Sequence, residues 1–231
     1  MCTRYMHDAP MGIEAVVFDW GGVLAGGGSR DPGEIERRLG VPAGSLPGLM
    51  GMLPCDTDTD NLWHMRELGR TTSLEWAHWY SARLRAAGGT PLLTPEQIVA
   101  TEAAVFCQPQ NTVVLDTVRQ LNKDGYKLAI CTNNWTELGE AWREGLPLDL
   151  FDAVVVSCEI GFRKPDAEMF NHVTDRLGVD PASTVLVDDF EANVDGARHA
   201  GWHGILVGSD HAAAMTALAA LLAEHPSSTQ Q

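Results

Sequence analysis

The sequence has little positive charge and very little lysine. Its 231 residues carry 16 Lys and Arg side chains against 31 Asp and Glu, for a formal net charge of −15, and the only lysines are Lys123, Lys127 and Lys164. This negative balance argues against nucleic acid backbones and anionic membranes as partners. We therefore expect a small-molecule partner, and chemistry that needs a lysine is confined to three positions.

Paired cysteines and long apolar runs are also missing. The five cysteines stand far apart without a CxxC pair, so the sequence predicts reduced thiols rather than a disulfide framework or a zinc site. The first residues contain no apolar stretch of signal-peptide length, and no segment reaches the roughly 18 apolar residues that cross a membrane. We expect a cytoplasmic protein without a membrane partner, as a monomer or a homodimer.

Short runs rich in Val, Ile and Leu predict a parallel β-sheet. The runs are apolar on both faces and do not alternate with polar residues, which is typical of strands covered by helices on each side. The predicted strands are Ala15–Asp19, Lys127–Thr132, Ala153–Ser157, Thr184–Asp188 and Gly204–Val207.

Helical patterns fill the intervals between most of these strands. Two of the patterns end at a glycine, as helices commonly do. The alternation of strands and helices through short loops indicates an α/β fold with a doubly wound parallel sheet. The predicted helices are Thr112–Lys123, Ala167–Leu177, Ala192–Ala200 and Asp210–Glu224.

Residues 27–106 interrupt this alternation. They are rich in Trp, Arg and Leu at helical spacing, and Thr72–Glu75 and Thr94–Gln97 fit the capping box that begins many helices. We therefore expect a helical insertion between two parts of one core. The predicted organisation is a core of residues 13–26 and 107–225, a helical cap of residues 27–106, and flexible tails of residues 1–12 and 226–231.

Polar residues stand at the carboxyl ends of several predicted strands, where open α/β sheets place their chemistry. Asp19 follows the first strand and precedes two glycines; by itself such an aspartate often only terminates a strand. The second strand ends with Thr132–Asn134, and the fourth ends with the pair Asp188–Asp189. Between them, Lys164 lies in the phrase Gly-Phe-Arg-Lys-Pro-Asp, whose arginine is predicted to be solvated or structural.

In this order, a carboxylate, a hydroxyl, a lysine and an acidic pair resemble the four motifs of the haloacid dehalogenase (HAD) superfamily. The resemblance covers residues 13–26 and 107–209 well and the segment between them loosely. The helical insertion after the first strand resembles the cap that many members carry. The resemblance implies a Rossmann-like HAD core with an inserted helical cap domain.

The resemblance also implies a mechanism. In the family, the motif-one aspartate attacks phosphorus and forms an aspartyl-phosphate that water hydrolyses, and Asp19 is the matching residue. A carboxylate can approach an anionic phosphate ester only when cations offset the repulsion, which Lys164 and a magnesium ion would do. Thr132 would donate its hydroxyl to the phosphoryl oxygens, with N–H groups of Asn133 and Asn134 beside it.

Magnesium is the cofactor that the resemblance implies. It would be held by Asp19, by the backbone carbonyl of Gly21 and by Asp189, with Asp188 either as a ligand or directly behind one. Such hard oxygen ligands are those that magnesium prefers. Asn193, one turn after the acidic pair, would support that pair or face solvent.

One position departs from the family pattern. Phosphatases of the family usually carry a second aspartate two residues after the nucleophile, which protonates the leaving group, and here that position is Gly21. General acid-base catalysis is typically worth about 10² to 10⁴ in rate. Hydrolysis should therefore be slow, or the cap should supply help, for which His64 is the candidate.

The predicted substrate contacts lie close to these motifs. Trp20 and Gly22 follow the nucleophile, and Trp135 follows the motif-two segment, so these residues are predicted to line the pocket. The leading interpretation is a magnesium-dependent phosphatase acting on a small phosphorylated metabolite such as a sugar phosphate. The alternative is a binding or regulatory protein that lost efficient turnover together with the second aspartate.

Two related chemistries fit less well. Phosphonoacetaldehyde hydrolases need a cap lysine for a Schiff base, and residues 27–106 contain none. Haloacid dehalogenases need no metal and lack the acidic pair, so Asp188–Asp189 favours phosphorus as the target. The acidic loop that holds Asp56, Asp58 and Asp60 is spaced like a calcium-binding loop but lacks its glycine, and we expect a solvated loop there.

Overall fold

A five-stranded parallel sheet forms the centre of the computed structural model, which describes residues 12–26, 32–45, 61–86 and 88–227. The strand order is β3-β2-β1-β4-β5, and all neighbouring strands run parallel. This order confirms the predicted doubly wound α/β fold. The strands are β1 (Ala15–Phe18), β2 (Lys127–Thr132), β3 (Ala153–Val156), β4 (Thr184–Asp188) and β5 (His203–Leu206).

Three strands end differently from the prediction: β1 stops at Phe18 rather than Asp19, and β3 and β5 also differ. β3 stops at Val156 because Ser157 begins a short helix, where the Ser157 hydroxyl accepts a hydrogen bond from the Asn134 N–H. β5 is displaced by one residue, and the N–H of Val207 donates to the carbonyl of Asp188 at 2.8 Å. The residues that follow β3 and β5 therefore hydrogen-bond to segments that carry predicted site residues.

Nine α-helices surround the sheet in the described part of the chain. Five of them pack around the strands, and the four that fall within residues 27–106 account for all regular structure described in that segment. The helices are α1 (Pro32–Leu39), α2 (Leu62–Glu67), α3 (Ser73–Ala86), α4 (Pro95–Phe106), α5 (Thr112–Lys123), α6 (Ser157–Ile160), α7 (Ala167–Leu177), α8 (Glu191–His199) and α9 (His211–Glu224).

Both predicted capping boxes are formed. At the start of α3, the Thr72 hydroxyl accepts from the Glu75 N–H while the Glu75 carboxylate accepts from the Thr72 N–H. At the start of α4, Thr94 and Gln97 make the same reciprocal pair, with proline at the first helical position. These bonds satisfy N–H groups that would otherwise have no partner within the helix.

The core lies on both faces of the sheet, as apolar strands require. Val16 and Phe18 of β1 belong to a cluster that includes the residues of α5 and α9, whereas Ala15 and Val17 belong to a second cluster with α7 and α8. All four side chains are fully buried. Burial of a side chain the size of valine or phenylalanine contributes about 1.5–3 kcal/mol, so β1 is strongly fixed.

Aromatic residues form the interior of the helical segment. Trp63, Trp76 and Tyr80 are buried, with Trp63 and Trp76 edge to face at 5.3 Å between ring centroids. Trp135, which follows β2, packs edge to face on Trp63 at 5.3 Å. These tryptophans therefore build the interior of the helical segment, and Trp135 joins that segment to the sheet.

The chain leaves and re-enters the sheet region at one place. Ala25 and Gln110 form an isolated antiparallel bridge, and the N–H of Gly26 donates to the carbonyl of Pro109 at 2.8 Å. The N–H of Asn111 also donates to the carbonyl of Leu24. Paired connections of this kind are those expected of an inserted segment, and the domain bounds stay a prediction.

Several predictions fall at or beyond the limits of the described residues. Asp56, Asp58 and Asp60 lie outside them, as does most of each predicted tail. At the described ends, Ile13 donates to the carbonyl of His225. Among the described residues no helix is long and apolar enough to cross a membrane, and the three described cysteines, Cys107, Cys131 and Cys158, are free thiols.

Candidate active site

Three carboxylates meet at the carboxyl edge of the sheet. Phe18 of β1 pairs with Val187 of the neighbouring strand β4. Asp19 and Asp188 are the next residues along the two parallel strands and therefore lie side by side. Asp189 follows directly, and one oxygen from each of the three carboxylates lies within 4.8 Å of the others. Like charges at this separation repel one another, so the cluster requires cations.

Lys164 supplies one cation from the loop before α7. Its side chain is fully buried, with Nζ 3.0 Å from Asp19 Oδ1 and 2.5 Å from Asp188 Oδ2. Burial alone lowers the pKa of Lys164, but the carboxylates of Asp188 and Asp19 outweigh it and raise that pKa above its ordinary value. Lys164 is therefore charged and offsets part of the negative charge of the three carboxylates.

Asp188 uses both oxygens within the protein. Oδ2 accepts from Lys164, while Oδ1 accepts from the Phe190 N–H at 2.8 Å and from Asn193 Nδ2 at 3.0 Å. Asn193 is buried, so of its two predicted roles it takes the one that supports the acidic pair. This arrangement favours Asp188 as the residue that positions Lys164, with Asp19 and Asp189 nearer to a metal.

Asn133 holds the backbone of Lys164. Its Nδ2 donates to the Lys164 carbonyl at 2.9 Å, and its Oδ1 accepts from the Lys164 N–H at 2.8 Å. The neighbouring Arg163 is not solvated: its Nε donates to Glu67 Oε2 at 2.7 Å, with both side chains largely buried. The lysine segment is thereby fixed from the sheet side by Asn133 and from the helical segment by Glu67.

The motif-one loop depends on the absence of a side chain at Gly22. Its φ is +82°, in the region that favours glycine, and a Cβ there would lie 2.0 Å from Asp189 Oδ2. The Gly22 N–H donates to the Ala25 carbonyl, and its carbonyl accepts from His211 Nε2 at 2.9 Å. Both backbone groups of Gly22 are therefore bonded within the protein, and its predicted contact with substrate stays a prediction.

The contact of His211 with the motif-one loop was not predicted from the sequence. It lies buried at the start of α9, and its partner Gly22 is 189 residues away in the sequence. The start of α9 was predicted at Asp210, and Asp210 caps the helix by accepting a hydrogen bond from the Ala213 N–H. Nothing local to His211 indicates a partner in the motif-one loop.

Thr132 and Asn134 lie at the end of β2. Thr132 is buried, consistent with its predicted place at the site. The Asn134 N–H donates to Ser157 Oγ at 3.0 Å, while its fully buried side-chain amide has no hydrogen-bond partner among the described residues. Buried amides without a hydrogen-bond partner are rare and call for an explanation. The predicted contact of Asn134 with substrate would provide one.

The predicted pocket residues take different places. Trp20 lines a cavity of about 290 Å³ and packs edge to face on Trp142 at 5.6 Å between ring centroids. Trp135 packs against the helical segment, and His64 is buried in α2. The other cavity residues come from the segment that returns to the sheet and from the turns after β2: Cys107, Gln108, Pro109, Gln110, Ala141 and Glu144.

Cys131 lies beside the charged cluster, and its buried thiol is held in the protonated form. Burial raises the pKa of Cys131 to about 12, with Lys164 opposing the shift and the carboxylates reinforcing it. The reactive form of a cysteine is the thiolate. At neutral pH this thiol stays protonated, which is consistent with the prediction that Asp19, and not Cys131, is the nucleophile.

The donor set fits a divalent cation of the magnesium type. The available ligands are carboxylate and carbonyl oxygens, which hard cations prefer, and one oxygen from each of the three carboxylates lies within 4.8 Å of the others. The close packing of Gly22 on Asp189 leaves the carboxylate next to the motif-one backbone. Asp19, Asp189 and the carbonyl of Gly21 are therefore compatible with the predicted metal site.

Comparison with known proteins identifies the family. The family described as haloacid dehalogenase-like hydrolase matches residues 13–201. Mouse bifunctional epoxide hydrolase 2 is 28% identical over 214 residues, which covers 85% of this chain and 37% of that protein. Glyceraldehyde 3-phosphate phosphatase of Methanopyrus kandleri is 28% identical over 200 residues, which covers 82% and 81% of the two chains.

A solved structure supports the same fold. The HAD family enzyme of Bacteroides thetaiotaomicron, in complex with magnesium and inorganic phosphate, has a TM-score of 0.61 at 22% identity, over 86% of this chain and 96% of that one. This chain spans between 19% and 37% of the length of the first curated relatives that it matches. The family match spans the sheet strands β1 to β4 and every motif segment, and the chain therefore belongs to the haloacid dehalogenase-like hydrolase family.

Proposed function

We propose that this chain is a magnesium-dependent phosphatase that hydrolyses a small phosphorylated metabolite through an aspartyl-phosphate on Asp19. One observation carries the proposal: Asp19 lies 3.0 Å from the charged Lys164 and shares a carboxylate cluster with Asp188 and Asp189. The phosphatase from Methanopyrus among its relatives supports a phosphorylated small molecule as the substrate class.

Each residue of the site has a distinct role in the proposed reaction. A carboxylate oxygen of Asp19 attacks phosphorus, the bond from phosphorus to the leaving oxygen breaks, and water later attacks phosphorus to restore the carboxylate. Lys164, held by Asn133 and Asp188, offsets the charge of the phosphoryl oxygens, and Thr132 donates to them. A magnesium ion held by Asp19, Asp189 and the Gly21 carbonyl would supply further charge stabilisation.

Residue 21 cannot protonate the leaving group. A glycine there has no proton to donate, so the enzyme either takes substrates whose leaving oxygen departs unprotonated or recruits a donor from the helical segment. His64 is the candidate donor, because it is buried in α2, the helix whose Glu67 bonds to Arg163 beside Lys164.

The helices of residues 27–106 would act as a cap that excludes water from the site. Two contacts support this part of the proposal: Arg163 pairs with Glu67, and Glu137 accepts from the N–H and hydroxyl of Ser73. Each contact joins the helical segment to a loop next to a motif. Substrate selection would then depend on the cap and on the Trp20 side of the site.

Phosphate release from a panel of phosphorylated metabolites and acyl phosphates tests the proposal. We expect turnover that needs both magnesium and Asp19, with Asp19→Asn reducing it by at least about 10³, since a carboxamide cannot replace the nucleophile. The control is Asp116→Asn, an exposed aspartate on α5, which should behave like wild type. If no compound turns over while phosphorylated ligands still raise the unfolding temperature, the chain is a binding or regulatory protein and the proposal is wrong.

A further inference from the structure

Gly22 joins the motif-one loop to the acidic pair by close contact. A Cβ at Gly22 would lie 2.0 Å from Oδ2 and 2.5 Å from Cγ of Asp189. The backbone of Gly22 therefore packs directly on the carboxylate of Asp189, and a change in the conformation of Gly22 must displace that carboxylate. Two of the proposed magnesium ligands, Asp189 and the Gly21 carbonyl, thus depend on the same short stretch of backbone.

Two hydrogen bonds fix the peptide planes on either side of Gly22. The Gly21 carbonyl and the Gly22 N–H share one planar trans peptide and point in opposite directions. The Gly22 N–H donates to the Ala25 carbonyl at 2.8 Å, which orients the Gly21 carbonyl away from Ala25. The next plane carries the Gly22 carbonyl, which accepts from His211 Nε2 at 2.9 Å.

The bond from His211 is the part that another element of the fold supplies. A carbonyl can only accept, so Nε2 carries the proton, and the ring is buried at the start of α9. The segment before α9 is itself tied to the site, because the Val207 N–H donates to the Asp188 carbonyl at 2.8 Å. The region from Val207 to His211 therefore bonds to both loops that carry the carboxylates.

Glycine has little intrinsic resistance to rotation at φ and ψ. Without a partner for its carbonyl, Gly22 would sample other conformations, and the spacing between Gly21 and Asp189 would vary. We propose that His211 is a positioning residue that holds the Gly21–Gly22 backbone in the conformation that binds magnesium. This inference rests on the proposed function, since it takes these residues as the magnesium site.

The test measures magnesium binding by isothermal titration calorimetry on the full chain, at one pH and without substrate. His211→Leu removes the donor and keeps comparable bulk, and we expect the Kd for magnesium to rise roughly tenfold or more, as for other residues that orient metal ligands. His211→Gln places an N–H near the position of Nε2 and should restore most of the affinity. In activity assays with substrate, the magnesium concentration that gives half-maximal activity should rise by a larger factor than the factor by which kcat falls.

A matched control is available in α8. His199 Nδ1 lies 2.7 Å from the carbonyl of Asp195, on an exposed part of the helix, and His199→Leu should leave the magnesium Kd unchanged. Should His211→Leu fail to fold, His211→Asn, whose side chain is too short to reach the carbonyl, takes its place with the same expectation.

Three results would overturn the inference. A variant without the donor that binds magnesium like wild type would do so, and so would a His211→Gln protein as impaired as His211→Leu. Failure of the wild type to bind magnesium would overturn the proposed metal site and this inference together, whereas normal wild-type binding with unchanged variants would overturn this inference alone.

Discussion

Arg66 is enclosed by aromatic rings more than by hydrogen bonds. Its Cζ lies 4.3, 4.2 and 4.1 Å from the ring centroids of Trp63, Trp76 and Trp135. The side chain is fully buried, and Glu102, on α4, is its ion-pair partner. Burial lowers the pKa of Arg66, and the carboxylate of Glu102 opposes that shift. Among the described residues Glu102 is the carboxylate that ion-pairs with Arg66, and a buried cation of this kind depends on such a partner.

Removal of that carboxylate should destabilise the protein. For Glu102→Gln we expect the free energy of unfolding to fall by about 3 to 5 kcal/mol, because the Arg66 cation would stay buried without its counter-charge. Urea unfolding measures the change. The control is Glu96→Gln on the same helix, where the side chain is 65% exposed and the effect should be small. A loss below about 1 kcal/mol for Glu102→Gln would mean that the more distant carboxylates suffice.

Individual site residues differ in how far the sequence could indicate them. Asp19, Asp188 and Lys164 were readable because each occupies a strand end or a distinctive phrase, and the structure brings all three together. The use of the Asn133 side chain to hold Lys164, and of His211 to hold Gly22, was not readable. Those roles are set by long-range packing, which leaves no local pattern.

Helix starts are the elements for which local sequence was most informative. The capping box of α4 was predicted from four residues and is present with both of its hydrogen bonds. Its Thr94 Oγ1 accepts from the Gln97 N–H at 3.3 Å, and the Gln97 side chain accepts from the Thr94 N–H at 2.8 Å. The stability of α4 should therefore depend on Thr94.

Thr94→Ala should lower the free energy of unfolding by about 1 kcal/mol, the usual effect of removing an N-cap side chain. Chemical denaturation of the purified chain measures the change. Thr117→Ala in the middle of α5 is the control, since the exposed Thr117 hydroxyl bonds only to the carbonyl of Val113 within its own helix and should cost little. Equal losses for the two variants would show that the capping box does not stabilise the fold.

Element ends were harder to predict than element positions. All five strands were expected, yet β1 and β3 each end one residue early and β5 is displaced by one. Hydrogen bonds lie at two of these ends: the Asn134 N–H donates to Ser157 Oγ after β3, and the Val207 N–H donates to the Asp188 carbonyl after β5. Strand propensity is read from local sequence and therefore does not indicate hydrogen-bond partners in distant segments.

At the scale of the whole molecule, the charge of the site links folding to metal binding. Three carboxylates from two strands are brought together only in the folded chain, and Lys164 neutralises one of them. A cation that binds the folded form and not the unfolded one stabilises the fold by mass action. Magnesium should therefore act as a stabiliser even without substrate.

We expect magnesium at about 100 times its Kd to raise the free energy of unfolding by about 2.7 kcal/mol relative to metal-free protein. Thermal unfolding with magnesium and with EDTA measures the difference. In Asp189→Asn the increment should shrink, because one ligand is lost. The control is Asp195→Asn, an exposed aspartate on α8, which should keep the full increment. Equal unfolding temperatures with magnesium and EDTA in the wild type would contradict a metal site here.

The relation between the helical segment and the core was only partly predictable. The sequence indicated an all-helical insertion, and the described helices agree, but the contacts that join it to the sheet were not readable, because Glu67 meets Arg163 and Ser73 meets Glu137 across long stretches of chain. Oligomeric state and cellular location stay predictions.

The strand order has a consequence for synthesis of the chain on the ribosome. β1 leaves the ribosome first, yet it occupies the middle of the sheet, where Ala15 pairs with Lys127 on one side and with Thr184 on the other. Because chains are made from the N-terminus onward, the strand before Asp19 gains its second neighbour only after Thr184–Asp188 has been made. A nascent or truncated product that ends before β4 has an exposed apolar strand and lacks two of the three clustered carboxylates, Asp188 and Asp189, so chaperone contact is to be expected during that interval.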